Sequence, residues 1–222
     1  MNALIIVAGG HGTRMGSAVP KQFLLLGGKP VLMHTIEAFQ RFDPSLPIVL
    51  ALPAEEHQRW ADLCALYSFP TDTLTIVAGG KTRFHSVRSA LEAVPWEATL
   101  IGVHDGVRPL VPVEVIAACF EEASRTGAAI PVCEVVETLR HVPTGATVPR
   151  GDYRLVQTPQ VFRADWLREA YGQPYDEAFT DDASVVEAAG HSVALVPGSR
   201  RNIKLTTPTD MTFAQFLLQG MS

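Results

Sequence analysis

Asn2-Ala3-Leu4-Ile5-Ile6-Val7-Ala8 runs straight into Gly9-Gly10-His11-Gly12-Thr13-Arg14-Met15-Gly16. Apolar character that continues without alternation over the length of a strand marks a strand covered on both faces, as in a parallel sheet between helices. No basic stretch precedes it, so it reads as structure and not as a leader. The glycines that follow let backbone N–H groups approach an anion, because no Cβ stands in the way. Further strands are predicted at Pro47–Leu52, Leu74–Val77, Thr99–Val103, Ala128–Val132 and Ser192–Val196. Between and after them, helical patterns run over Val31–Phe42, Glu55–Tyr67, Thr82–Val94, Val113–Arg125, Ala164–Tyr171, Asp181–Ala189 and Pro208–Leu218. This order predicts an α/β fold: a single doubly wound, mostly parallel sheet, with residues 1–222 as one domain.

The rhythm breaks between about 134 and 158. Thr138-Leu139-Arg140-His141 and Ala146-Thr147-Val148 flank Pro143-Thr144-Gly145, which is a hairpin signal. A hairpin of that size cannot bury a core alone, so the segment is expected to project from the domain as a β-arm.

Composition narrows the class. The chain has 222 residues, 47% apolar and 18% charged, with 18 Lys+Arg against 23 Asp+Glu for a net charge of −5. It is too apolar to be disordered. A folded chain of this size buries roughly 70% of its extended surface, enough for a core without staples. No run approaches the ~20 apolar residues of a membrane helix, so no membrane partner is expected. Mild acidity without a basic stripe argues against nucleic acid as the partner. The three cysteines are odd in number and form no C-x-x-C. That predicts no disulfide framework and a reducing, cytoplasmic setting. What composition leaves unexplained is 17 Gly and 16 Pro in so apolar a chain.

Many of the glycines fall in three loops that follow strands, where open α/β sheets bind ligands. The first loop carries Arg14 and is followed by Pro20-Lys21-Gln22-Phe23. Two permanent cations beside a glycine turn suit a polyphosphate. The spacing is neither a P-loop nor a dinucleotide fingerprint. The alternative is a plain strand-to-helix turn with two solvated cations. The second loop is Gly79-Gly80-Lys81-Thr82-Arg83-Phe84-His85-Ser86-Val87. Ser86 there either bonds a base or ribose or is a first-turn helix hydroxyl. The third, His104-Asp105-Gly106-Val107-Arg108-Pro109, brings an acid that serves a Mg²⁺-nucleotide or ribose, or merely caps its loop. Arg108 balances that charge or reaches phosphate. Thr180-Asp181-Asp182 suits helix capping, and Phe213, Phe216 and Leu217 are expected in the core.

In order along the chain stand A-G-G-x-G-T-R-M, P-K-Q-F, G-G-x-x-R-x-x-S-V, H-D-x-x-R-P, Thr158-Pro159-Gln160 and Asn202-Ile203-Lys204-Leu205-Thr206. With them the sequence resembles the 2-C-methyl-D-erythritol 4-phosphate cytidylyltransferases, from the first strand to the last helix. The resemblance implies a nucleotidyltransferase that moves CMP from CTP to methylerythritol phosphate, with Mg²⁺ as cofactor. It also implies a homodimer built by the arm. Matched position by position, Ala8, Gly9, Gly10, Gly12, Gly79, Gly80 and Ser86 fall to CTP. Asp105 and Arg108 fall near ribose, metal and sugar phosphate, with Asp105 touching a metal held mainly by the triphosphate. Arg14 and Lys21 match the cations on the triphosphate and transition state, joined by Lys204. Thr138 and Arg150 match arm residues that reach the acceptor in the partner subunit; Thr158 and Lys204 match acceptor residues of the same subunit. The chain departs from the pattern at Gly9, often Ala, and at Gly106-Val107, often Ala-Ala or Ala-Val. Lys81 stands where other members can carry an acid and has no matched role. The rival readings are a cytidylyltransferase for another polyol phosphate, such as ribitol 5-phosphate, and a nucleotide-binding protein that has lost catalysis.

Overall fold

The structure, a computed structural model, describes residues 1–9 and 19–220. Its frame is β1 (Asn2–Val7), whose residues Ala3 to Ile6 are fully buried. The pleat sends alternate side chains to opposite faces. Leu4 and Ile6 enter one core with Ile36, Phe39 and Ile116, while Ala3 and Ile5 enter the other with Val87, Leu91 and Val186. A strand with a core on each face has no reason to alternate in polarity, which is why β1 reads as one apolar run.

In chain order the small ladder β2 (Leu25–Leu26) and β3 (Lys29–Pro30) precedes α1 (Val31–Phe42), β4 (Ile48–Leu52), α2 (His57–Leu66), β5 (Leu74–Ala78) and α3 (Arg83–Ala93). There follow β6 (Leu100–Asp105), α4 (Val113–Thr126), β7 (Ala128–Glu134), β8 (Leu139–His141), β9 (Ala146–Val148), β10 (Arg154–Val156) and β11 (Gln160–Arg163). The chain closes with α5 (Ala164–Ala170), α6 (Asp182–Ala188), β12 (Ala194–Pro197) and α7 (Pro208–Gln219). The main sheet has the order β10-β7-β11-β6-β1-β4-β5, with β12 also paired to β7. Pairings β1/β4, β4/β5, β1/β6 and β7/β12 are parallel, and among the described residues only β10 and β11 run against the rest. The fold is therefore α/β with a mostly parallel sheet and helices on both faces. Among the described residues no helix is long and apolar enough to cross a membrane.

Two expectations need correction, and one further strand was not expected. The segment that leaves the sheet is shorter than 134–158, because β7 extends to Glu134 and Arg154, Leu155 and Val156 return to pair with it. All three side chains of β10 are exposed, so hydrophobic pattern could not reveal the strand. β11 wedges between β6 and β7 as four residues after a proline, too short to register as a periodic run. Finally, Phe213 and Phe216 stand 50% and 70% exposed, not in the core. α7 instead packs through Ala214, with Met211, Leu218 and the expected Leu217 partly buried beside Leu26 and Leu205. Apolar residues on two stripes of one helix leave periodicity unable to choose between them.

Candidate active site

Ala8-Gly9 at the end of β1 and the loops after β5 and β6 meet at one edge of the sheet. Gly106 donates its N–H to Val7 O at 2.9 Å, and a Cβ there would sit 2.8 Å from the Ala8 Cβ. With glycine at 106 the two strand ends meet without a shift that any side chain would force on Ala8 or Leu32. Gln22, buried in the P-K-Q-F element, donates Nε2 to Ala8 O at 2.9 Å, so this segment is tied to the end of β1 and delivers Lys21 beside it.

After β5, Thr82 caps α3 by accepting from His85 N, and Ser86 folds back on the loop. Its hydroxyl accepts from Gly80 N at 3.0 Å and donates to Thr82 O at 3.0 Å. A Cβ on Gly80 would meet His85 Cβ at 2.4 Å, so the loop is closed too tightly for a side chain. With its proton spent, Ser86 Oγ keeps one lone pair and can accept, but not donate, one further bond.

Asp105, the last residue of β6, holds the charged centre. Its Oδ2 lies 3.0 Å from Arg108 Nε and 3.1 Å from Lys204 Nζ, and its Oδ1 lies 3.6 Å from Arg83 Nε. Burial alone would push this carboxyl up, but Arg83, Lys204 and Arg108 together outweigh it and hold Asp105 well below the usual carboxylate range. Arg83 stays charged for a similar reason. Burial opposes its charge, and the attraction and hydrogen bonds of Asp182, with Asp105, more than compensate.

A buried hydrogen-bond chain fixes the backbone behind this centre. Asp105 N donates to Thr158 Oγ1 at 3.1 Å. His104 Nε2 lies 3.2 Å from the Arg108 carbonyl, which can only accept, so the proton sits on Nε2. Nδ1 then accepts the Thr158 hydroxyl at 2.9 Å. Burial drives His104 down to about 3, so the ring is neutral in this arrangement. Arg108 Nη1 donates to Asn202 O at 2.8 Å, and Asn202 Nδ2 donates to Thr158 O at 2.7 Å. The N-I-K segment is thereby locked to the T-P-Q segment, which places Lys204 over Asp105.

Two cavities open on this edge. One, of about 250 Å³, lies between Ala8-Gly9, Lys21 and the Gly80 to Ser86 loop. The second, about 290 Å³, lies between Arg108, Gln157-Thr158 and Thr180-Asp181. Arg83, Asp105 and Lys204 line both and form the wall they share.

Most of the residues expected from sequence come together here. Ala8, Gly9, Lys21, Gly80, Ser86, Asp105 and Lys204 line the first cavity; Arg108 and Thr158 line the second, with Asp105 and Lys204 again. Lys81 joins the first. Gly79 lines neither, but its N–H bonds Leu52 O at 2.7 Å and anchors the loop. Gly10, Gly12 and Arg14 lie outside the described residues. Thr138 and Arg150 are exposed on the arm and line neither cavity.

Sequence reasoning missed Arg83, Gln22, His104, Asn202 and Asp182. It assigned Asp182 to capping, yet Asp181 makes the cap of α6, while Asp182 is fully buried and bonded to Arg83. Arg83 and Gln22 sat inside quoted motifs, so the signal was present. Nothing in one sequence pairs residues 83 and 182. Among the described residues no group of three or more His, Cys, Asp or Glu could hold a metal. Among the described residues, Asp105 is the single carboxylate lining the first cavity. One carboxylate fits a Mg²⁺ that arrives on a polyphosphate, and does not fit a cation caged by protein alone.

A family model described as IspD, 2-C-methyl-D-erythritol 4-phosphate cytidylyltransferase, matches residues 2–220. The chain belongs to this cytidylyltransferase family. The enzyme of that name from Phocaeicola vulgatus is 58% identical over 217 residues, covering 97% of this chain and 98% of its own. That from Bacteroides thetaiotaomicron is 54% identical over 218 residues, covering 97% and 99%. The crystal structure of 2-C-methyl-D-erythritol 4-phosphate cytidylyltransferase from Thermus thermophilus superposes with a TM-score of 0.79 at 35% identity. It covers 99% of this chain and 100% of that one. A 4-diphosphocytidyl-2C-methyl-D-erythritol synthase from Anaerococcus prevotii gives 0.83 at 25% identity over 98% and 96%. The chain is thus a nucleotidyltransferase.

Proposed function

We propose that the chain transfers CMP from CTP to 2-C-methyl-D-erythritol 4-phosphate, releasing pyrophosphate and giving CDP-methylerythritol for non-mevalonate isoprenoid synthesis. The observation that carries this reading is the pair of cavities sharing one charged wall, in a chain matched by this family from residue 2 to residue 220. CTP belongs in the glycine-loop cavity, where Ser86 Oγ can accept from a donor such as the cytosine amino group. The polyol phosphate belongs in the second cavity, beside Arg108 and Thr158. Relatives at 54–58% identity carry the methylerythritol name, which favours that acceptor over ribitol 5-phosphate.

An oxygen of the acceptor phosphate bonds to the α-phosphorus, the bond from that phosphorus to the bridging oxygen breaks, and pyrophosphate leaves with the electron pair. With a second pKa near 6, a phosphomonoester is about nine-tenths ionised at neutral pH, so no general base is needed. The site is built accordingly. No histidine is among the described residues lining either cavity, and Asp105 is held too acidic to serve as a base. Catalysis rests on holding two polyanions together and meeting their charge with Lys21 and Lys204, joined by Arg14. Asp105 is the carboxylate that would meet a Mg²⁺ carried by CTP, which would supply charge neutralisation on the triphosphate.

The family's homodimer and the cytoplasmic setting belong to the same proposal. β8 and β9 pair only with each other among the described residues. Val136, Val142, Tyr153 and Leu155 are left 46% to 88% exposed around them. A second copy covering that surface would bring its Thr138 and Arg150 to the acceptor cavity. The free thiols of Cys64, Cys119 and Cys133 suit a reducing compartment.

The test is pyrophosphate release with Mg²⁺ across the four nucleoside triphosphates and the two sugar phosphates. Release with CTP and methylerythritol phosphate supports the reading; faster release with ribitol 5-phosphate replaces the acceptor. CTP binding without release on either acceptor leaves a binding protein.

A further inference from the structure

Behind Arg83, itself part of the shared wall, lie two buried polar groups that the transfer chemistry does not use. Arg83 directs Nη1 to Asp182 Oδ1 at 2.7 Å and Nη2 to Oδ2 at 2.6 Å. Tyr171 donates its hydroxyl to the same Oδ1 at 2.6 Å. Asp182 is 0% exposed and Tyr171 is 2% exposed. Burying an acid is costly unless it is fully paired, and helix α6 does not need this one, since Asp181 and Ser184 form its capping box. Asp182 therefore has another task.

The geometry at Asp105 shows what it is. Arg83, Arg108 and Lys204 all face that carboxylate. An arginine left to itself binds a carboxylate in a two-pronged fork. Arg83 spends both prongs on Asp182, and only Nε remains toward Asp105, at 3.6 Å. Lys204 meets Oδ2 at 3.1 Å, the oxygen that Arg83 in this position does not contact. Without Asp182, Arg83 could fork onto Asp105 and displace the ammonium that lines both cavities.

We propose that Tyr171 and Asp182 are positioning residues for the transfer: through Arg83 they keep Asp105 and Lys204 set at the junction of the two cavities. The proposal rests on the cytidylyl-transfer reading above. Tyr171 fixes the carboxylate, the carboxylate fixes the guanidinium, and neither touches substrate. Misplacing a reacting group by about 1 Å costs on the order of 100-fold in rate, so the loss should fall on kcat.

The experiment is steady-state kinetics on Tyr171→Phe, Asp182→Asn, Arg83→Gln and the double variant Asp182→Asn with Arg83→Gln, each with a thermal melt. Tyr171→Phe keeps the ring that stacks on Phe84 and removes one hydrogen bond. It should lower kcat by about 3- to 10-fold, and Asp182→Asn by about 30-fold, with both KM values within about threefold of wild type. The double variant should turn over no more slowly than Arg83→Gln alone, since Asp182 acts only through Arg83. Additive losses in the double variant would overturn the proposal, as would a Tyr171→Phe enzyme with wild-type kcat. Should Asp182→Asn fail to fold, Tyr171→Phe combined with Arg83→Gln closes the same cycle. A wild-type enzyme without turnover on CTP and methylerythritol phosphate would instead sink the reaction itself.

Discussion

Lys204 Nζ rests 3.1 Å from Asp105 Oδ2, joining the segment before the last helix to the end of a central strand. The lysine side chain is 42% exposed, so its ammonium reaches the cavities while the carboxylate beneath fixes its place. If that ammonium meets charge developing at the α-phosphorus, Lys204→Ala should lower kcat by about 100-fold or more and leave the fold intact. Lys21→Ala should behave in the same way. Far-UV circular dichroism with steady-state kinetics checks both, and normal turnover in either folded variant would remove that residue from the mechanism.

Thr158 is matched to the acceptor, yet its hydroxyl is spent inside the protein, between Asp105 N and His104 Nδ1. Thr158→Val keeps the shape and strands two buried groups, which should cost about 1–3 kcal/mol of stability. Thr158→Ser should recover most of it. Chemical denaturation reads the difference, and a Val variant as stable as wild type would show the chain to be unimportant.

Stability should also fall with pH in a defined window. Burial lowers His104 from 6.5 to about 3, so between these values the unfolded ring binds a proton that the folded one refuses. The folded state loses ground as pH falls through that range, since stability drops wherever the unfolded state holds more protons. Below 3.8 Asp105 adds to the loss, because the folded carboxyl stays ionised among its three cations while the unfolded one protonates. His104→Gln should be less stable at neutral pH and show a flatter decline between pH 6.5 and about 4. Urea midpoints across pH measure it, and parallel curves for the two proteins would contradict the assignment.

The arm carries its own prediction. Arg150→Ala should raise the KM for the polyol phosphate more than that for CTP, since its proposed contact is with the acceptor in a second subunit. Equal rises, or an active monomer in sedimentation, would contradict the arm's role.

The sequence made the layered part of the fold readable because the strands buried on two faces are plain apolar runs, as in β1 and β4. It could not show β10, whose three residues are all exposed, or choose the packed stripe of α7, where Phe213 and Phe216 sit on the wrong side. At the site, glycines and cations were legible because phosphate chemistry demands those types beside a strand end. Arg83 with Asp182, and His104 with Thr158, were not, since each pair is made by tertiary approach and neither residue is unusual by itself.

The central claim is that two substrates meet across the Asp105–Lys204 wall and react at the α-phosphorus. Phosphorus NMR of the protein with CTP, Mg²⁺ and 2-C-methyl-D-erythritol 4-phosphate tests it most directly. The account predicts a new pair of coupled diphosphate resonances, with pyrophosphate appearing in equal amount. Release of inorganic phosphate instead, or an unchanged spectrum, would contradict it.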